Sequence, residues 1–133
     1  MSEPRIVVSL TSYPARIHSV YRVIDNILSQ TRKPDRILLW LAESQFPEKE
    51  RNLPGELMKE TERGLEIRWC RDLRPHKKYL YAMKEFPEDI LITVDDDLVY
   101  PDDMIDVLYQ SYVKHPRAVS AMRTHIQIGR AHV

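Results

Sequence analysis

The chain contains four short apolar runs, RIVVSL (residues 5–10), ILLWL (37–41), LEIRWC (65–70) and ILITV (90–94), spaced too far apart for hairpins. Runs of this length, rich in branched aliphatic residues, read as strands. A hairpin needs only a few connecting residues, whereas a parallel crossover needs roughly a dozen or more. Every gap here meets the second requirement, and each contains a segment with helical features. Over residues 16–30, Ile17, Val20, Val23, Ile24, Ile27 and Leu28 fall near a helical repeat, and Pro34 stops it. Residues 46–63 carry Pro47 and Pro54 and then a short helical stretch ended by Gly64. Leu80, Met83 and Phe86 predict a helix over 76–86. Pro101 opens another helix, with Asp102 and Asp103 in its first turn, Ile105, Leu108 and Tyr112 on its inner face, and Pro116 beyond its end. Residues 118–122 begin a fifth strand. The alternation predicts an α/β fold, a mainly parallel sheet with helices on both faces, in a single domain.

Composition narrows the function. The 20 Lys and Arg residues balance 20 Asp and Glu, so the basic excess that nucleic acid or an anionic membrane rewards is missing. With 43% hydrophobic and 30% charged residues, the chain has the make-up of a folded domain, not a disordered one. Gly55, Gly64 and Gly129 are its 3 glycines, too few and too scattered for a Rossmann dinucleotide fingerprint or a Walker A loop. The single cysteine, Cys70, excludes an internal disulfide and a cysteine-based zinc cluster, and it reads as buried and inert. His18, His76, His115, His125 and His132 show no H-x-x-x-H spacing. No apolar run approaches a membrane span or a secretory signal, so a cytoplasmic setting is expected.

The end of the chain reads differently. Residues 128–133, IGRAHV, match one translation of a common sequencing adapter, ATC GGA AGA GCA CAC GTC. On this reading residues 1–127 are the protein proper, residues 128–133 are an adapter-encoded tail, and the natural chain continues beyond.

In an open parallel sheet, ligands bind outside the carboxyl ends of the strands, where the strand order reverses. Those ends carry Thr11-Ser12-Tyr13, Glu43-Ser44, Arg71-Asp72 and Asp95-Asp96-Asp97. Three consecutive carboxylates after a greasy strand repel one another unless a cation shares the site. A hard divalent ion with oxygen ligands, Mn²⁺ or Mg²⁺, is the simplest compensation. Extended geometry sets Asp95 and Asp97 on one side and Asp96 on the other, so the first and third can face a ligand while Asp96 packs or bonds elsewhere. The loop from Arg71 to Lys78 carries Arg71, Arg74, Lys77 and Lys78 against Asp72 alone. Lys77 or Lys78, with the following helix N-terminus, suits phosphate oxygens, while a solvated ion-paired turn is the plainer alternative. Thr11, Ser12 and Tyr13 can hold a nucleoside by hydrogen bonding and stacking, or form an ordinary turn; Arg16 is open to both readings as well.

These segments together resemble the N-terminal, nucleotide-sugar-binding half of a GT-A glycosyltransferase of the family-2-like bacterial type. The resemblance spans residues 4–125 and rests on VSLTSYPAR, SQTRKPDRILLWLAES, DLRPHKKYLYAMKEFPEDILITVDDD and YPDDMIDVL, with a D-x-D element after the fourth strand. It implies an incomplete GT-A domain in which Thr11, Ser12 and Tyr13 hold the donor's base and ribose and Glu43 meets the base. Asp72 would lie by the nucleoside, and Lys77 or Lys78 near the donor. Asp95 and Asp97 fit the positions that contact ribose and metal, and Arg16 and Asp96 complete the set of donor-side candidates. In the family the catalytic base and the acceptor site lie further along than this chain extends.

The expected activity is therefore metal-dependent transfer of a sugar from a nucleoside diphosphate sugar, a UDP-sugar, to a saccharide or other hydroxyl acceptor, with Mn²⁺ or Mg²⁺ as cofactor. A metal-dependent nucleotidyltransferase and a non-catalytic sugar-nucleotide-binding module are the alternatives, since α/β sheets host many functions.

Overall fold

The computed structural model describes residues 5–71, 85 and 89–114. Its strands are β1 (Ile6–Thr11), β2 (Arg36–Ala42), β3 (Leu65–Cys70) and β4 (Ile90–Thr93), and its helices are α1 (Val20–Leu28), α2 (Gly55–Thr61) and α3 (Met104–Lys114). The strands form one sheet in the order β3-β2-β1-β4, and every pairing is parallel. The chain is thus an α/β protein, as its alternation predicts. Among the described residues no helix is long and apolar enough to cross a membrane.

Burial explains why these runs were conspicuous. In β1 and β2 nearly every residue is buried, the pattern of inner strands covered on both faces. One face carries Ile6, Val8, Leu10, Ile37, Leu39, Leu41, Ile90, Ile92 and Val94, which share a core with Val20, Val23, Ile24 and Ile27 of α1, Leu57 of α2, and Met104 and Ile105 of α3. All three described helices join this core. The opposite face is also buried, at Val7, Leu38, Leu91 and Trp40. The edge strand β3 is less covered and alternates, as its sequence suggests. It sets charge on that second face, where Arg68 donates to Glu66 (2.9 Å) and Glu85 (2.6 Å), a common guard against edge-to-edge pairing. The helix expected over 76–86 and the strand expected over 118–122 lie outside the described residues.

Two boundaries differ from expectation for local reasons. The helix expected over 16–30 begins only at Val20. Ile17 is buried on the helical repeat, but the backbone before Val20 closes tighter turns, with Arg16 N–H donating to Tyr13 and Ser19 N–H to Arg16. The last helix begins at Met104, so Asp102 and Asp103 precede it instead of filling its first turn. Its early Ile105 N–H is capped by Gln30, whose side chain is buried at the end of α1 and donates in turn to the Pro101 carbonyl (2.7 Å). After α2 the chain reverses at Gly64, where φ is +114°, a conformation glycine adopts without strain.

Candidate functional site

The strand order has one reversal. From β1 the chain steps outward to β2 and β3, then crosses back over to β4 on the other side of β1. The crevice between the carboxyl ends of β1 and β4 is the switch point of the sheet, where such folds place ligands. The register pairs Ser9 with Thr93, and Val94 N–H donates to the Ser9 carbonyl (3.1 Å). That pairing draws Thr11-Ser12-Tyr13 and Asp95-Asp96-Asp97 to the two lips of one crevice.

Exposure alternates along the acidic trio, with Asp95 and Asp97 exposed and Asp96 buried, although Asp96 and Asp97 lie in a turn beyond the end of β4. The Asp96 carboxylate accepts a hydrogen bond from Ser12 Oγ (2.9 Å) on one oxygen and from Arg16 Nη1 (3.0 Å) on the other. The same Arg16 nitrogen lies 2.8 Å from Asp97 Oδ2. One guanidinium therefore bridges two carboxylates, and the Asp96 bond, followed by its charge, raises the pKa of Arg16 above the usual arginine value. The Tyr13 ring lies 5.6 Å from the guanidinium carbon, and the residue is 42% exposed.

Tyr100 fixes the far side of the acidic turn, a role its sequence position did not reveal. Its buried hydroxyl accepts the Asp95 N–H (2.8 Å), and burial raises its pKa to about 12. Its own backbone is clamped by Asn26 of α1, whose amide donates to the Tyr100 carbonyl (3.0 Å) and accepts from the Tyr100 N–H (2.8 Å). A polar residue on the inner side of an amphipathic helix was the available signal for Asn26, whereas Gln30, buried just beyond the end of α1, offered no such signal.

The other predicted site residues divide into two groups. Glu43 stands at the carboxyl end of β2, half-exposed in a short turn, where it pairs with Lys49 (3.3 Å). Asp72, Lys77 and Lys78 lie outside the described residues, as does most of the basic loop. Trp40 is core, donating to Ser9 Oγ (2.9 Å), and Cys70, in no disulfide, is buried at the end of β3 with its thiol on the Leu41 carbonyl (3.5 Å).

Among the described residues no three His, Cys, Asp or Glu side chains group so as to hold an ion alone. Mg²⁺ and Mn²⁺ do not require such a cage at a phosphate site. One or two carboxylates suffice, and phosphate oxygens and water complete the shell. Asp95 and Asp97, both exposed, are carboxylates of that kind. The residues present fit a cation shared with a ligand, and they do not form a site for an ion without one.

No protein-family model matches the chain, and no curated protein matches it in sequence.

Proposed function

We propose that the chain is the donor-binding part of a metal-dependent GT-A-type glycosyltransferase, which takes a UDP-sugar and passes the sugar to a saccharide or other hydroxyl acceptor. The observation that carries this reading is the meeting of Thr11-Ser12-Tyr13 and Asp95-Asp96-Asp97 across the switch point, with Asp96 anchored to Ser12. A nucleoside needs hydrogen-bonding groups and a flat face, and a diphosphate needs cations. The first lip offers the former, and the second offers carboxylates that can hold the latter.

Each residue then has a task set by its surroundings. Tyr13, exposed beside Arg16, offers its ring to the base. Asp95 and Asp97 are the exposed carboxylates of the turn and would ligate the cation in this reading. Asp96, turned inward, positions that turn by gripping Ser12 and Arg16. Tyr100 fixes the Asp95 backbone from below. When bound, Mn²⁺ or Mg²⁺ supplies positive charge to the diphosphate and stabilises it as a leaving group. Glu43 and the loop bearing Asp72, Lys77 and Lys78 extend the same donor site in this reading. A cysteine outside any disulfide, Cys70, suits a reduced, cytoplasmic setting.

Titration with UDP, with and without Mn²⁺, tests the proposal. UDP is expected to bind more tightly when Mn²⁺ is present, and Asp97→Ala is expected to lose that gain. Equal UDP affinity for the parent and Asp97→Ala at saturating Mn²⁺ would overturn the assignment.

A further inference from the structure

We infer that Arg16 is a built-in counter-ion that keeps the acidic turn closed to a lone divalent cation and makes cation and nucleoside diphosphate bind together. The inference rests on the proposed donor site and goes beyond it, because it assigns to one side chain the coupling between the two ligands. Its basis is the bridging geometry. Nη1 of Arg16 is 3.0 Å from Asp96 and 2.8 Å from Asp97, yet the two carboxylates differ sharply in exposure, with side chains 10% and 49% accessible. Asp96 is also held by Ser12, so the Arg16–Asp96 pair is the anchored one. Asp97 is at the open end of the bridge and is the partner that can leave.

Anchoring has an electrostatic consequence. A dication approaching Asp97 meets a guanidinium already on that carboxylate and fixed in place by Asp96. The ion must displace it from Asp97 and then remain close to a positive charge that Asp96 still holds. The pair at Asp97 is half-exposed, so the obstacle is modest and weakens with salt. A diphosphate reverses the balance. Its oxygens can accept from the released guanidinium and ligate the cation together, so each ligand removes the obstacle to the other. By linkage the coupling is reciprocal: UDP tightens the cation by the factor by which the cation tightens UDP. The Tyr13 ring, 5.6 Å from the guanidinium carbon, adds a weak cation–π attraction at the same place.

The test is Mn²⁺ titration followed by water-proton relaxation, with and without UDP, on the parent, Arg16→Gln and Arg16→Lys. Arg16→Gln is expected to bind Mn²⁺ alone about three- to tenfold more tightly than the parent, with the advantage shrinking at high salt. The gain that UDP brings should shrink by at least the same factor, while the part that comes from phosphate oxygens on the ion remains. Arg16→Lys, which keeps a cation there, should resemble the parent without UDP. Mn²⁺ alone binding Arg16→Gln no better than the parent, while the parent still shows UDP-dependent binding, overturns the role of Arg16 and leaves the donor site standing. Absence of UDP-dependent Mn²⁺ binding in the parent overturns the donor site and this role with it. If Arg16→Gln does not fold, the Arg16 guanidinium resonances of the parent decide: Mg²⁺ with UDP should shift them as Asp97 departs, and unchanged signals at saturation count against the exchange.

Discussion

Asp96 should be the most costly of the three adjacent aspartates to lose, although its neighbours differ from it only in the direction they face. In Asp96→Ala, Ser12 Oγ, in a residue only 2% exposed, loses its acceptor. Leaving a buried hydroxyl without a partner costs about 1–3 kcal/mol. The anchor of Arg16 goes too, but that group faces solvent and adds little to stability. A total of about 2 kcal/mol follows. With a urea m-value of about 2 kcal/mol/M for a domain of this size, the unfolding midpoint should fall by about 1 M with an unchanged slope. Asp97→Ala removes only a half-exposed pairing and should leave the midpoint near that of the parent. Asp96→Asn, which keeps the shape and an acceptor for Ser12, should lie between them. A Ser12→Ala, Asp96→Ala double-mutant cycle in urea isolates the shared hydrogen bond, which should appear as coupling of about 1 kcal/mol. Equal losses for Asp96→Ala and Asp97→Ala, or no coupling with Ser12, would refute the alternating geometry of the turn.

Glu60 and Tyr100 provide two further tests. Glu60 of α2 is buried with one carboxylate oxygen unpartnered, and Arg63 bridges it to Asp25 of α1. Burial, followed by Asp25, raises its pKa to about 7 against the opposing pull of Arg63. A carboxyl whose pKa is raised on folding contributes stability that is complete below the unfolded value near 4.5 and is lost as pH rises through about 7. Glu60→Gln should therefore gain on the parent by roughly 1–3 kcal/mol between pH 5 and pH 8, measured by denaturant unfolding across that range; a constant difference contradicts the assignment. Tyr100→Phe deprives the Asp95 N–H of its acceptor and should cost about 1 kcal/mol of stability while weakening UDP-dependent Mn²⁺ binding; unaltered metal binding would remove Tyr100 from the support of the site.

What the sequence disclosed and what it concealed have separate physical causes. β1 and β2 were legible because both of their faces are covered, so nearly every position had to be apolar. The burial of Asp96 between two exposed neighbours matches the expected alternation, although Asp96 and Asp97 lie in a turn past β4 and not on extended backbone. The partners of these residues were not legible. Arg16 and Asp96 are 80 positions apart, and nothing local to either names the other. The sequence asked for a cation beside the acidic trio, and the structure brings a guanidinium there from the first crossover. Asn26 and Gln30 escaped notice because a search for helical periodicity counts apolar positions, whereas these two earn their inner places through the bonds they make to the segment after β4. The late start of α1 was hidden by Ile17, whose burial continues the periodicity into backbone that is not yet α-helical. The basic loop could be read only as composition, and Asp72, Lys77 and Lys78 remain candidates on that ground.

The central claim is that the crevice between β1 and β4 gathers a divalent cation and a nucleoside diphosphate, and paramagnetic line broadening tests it most directly. Mn²⁺ added at saturating UDP should broaden the backbone amide signals of residues 11–13 and 95–97 before all others, and Asp97→Ala should abolish the effect. Broadening centred instead on the acidic edge around Glu66 and Glu85, with the crevice signals intact, would contradict it.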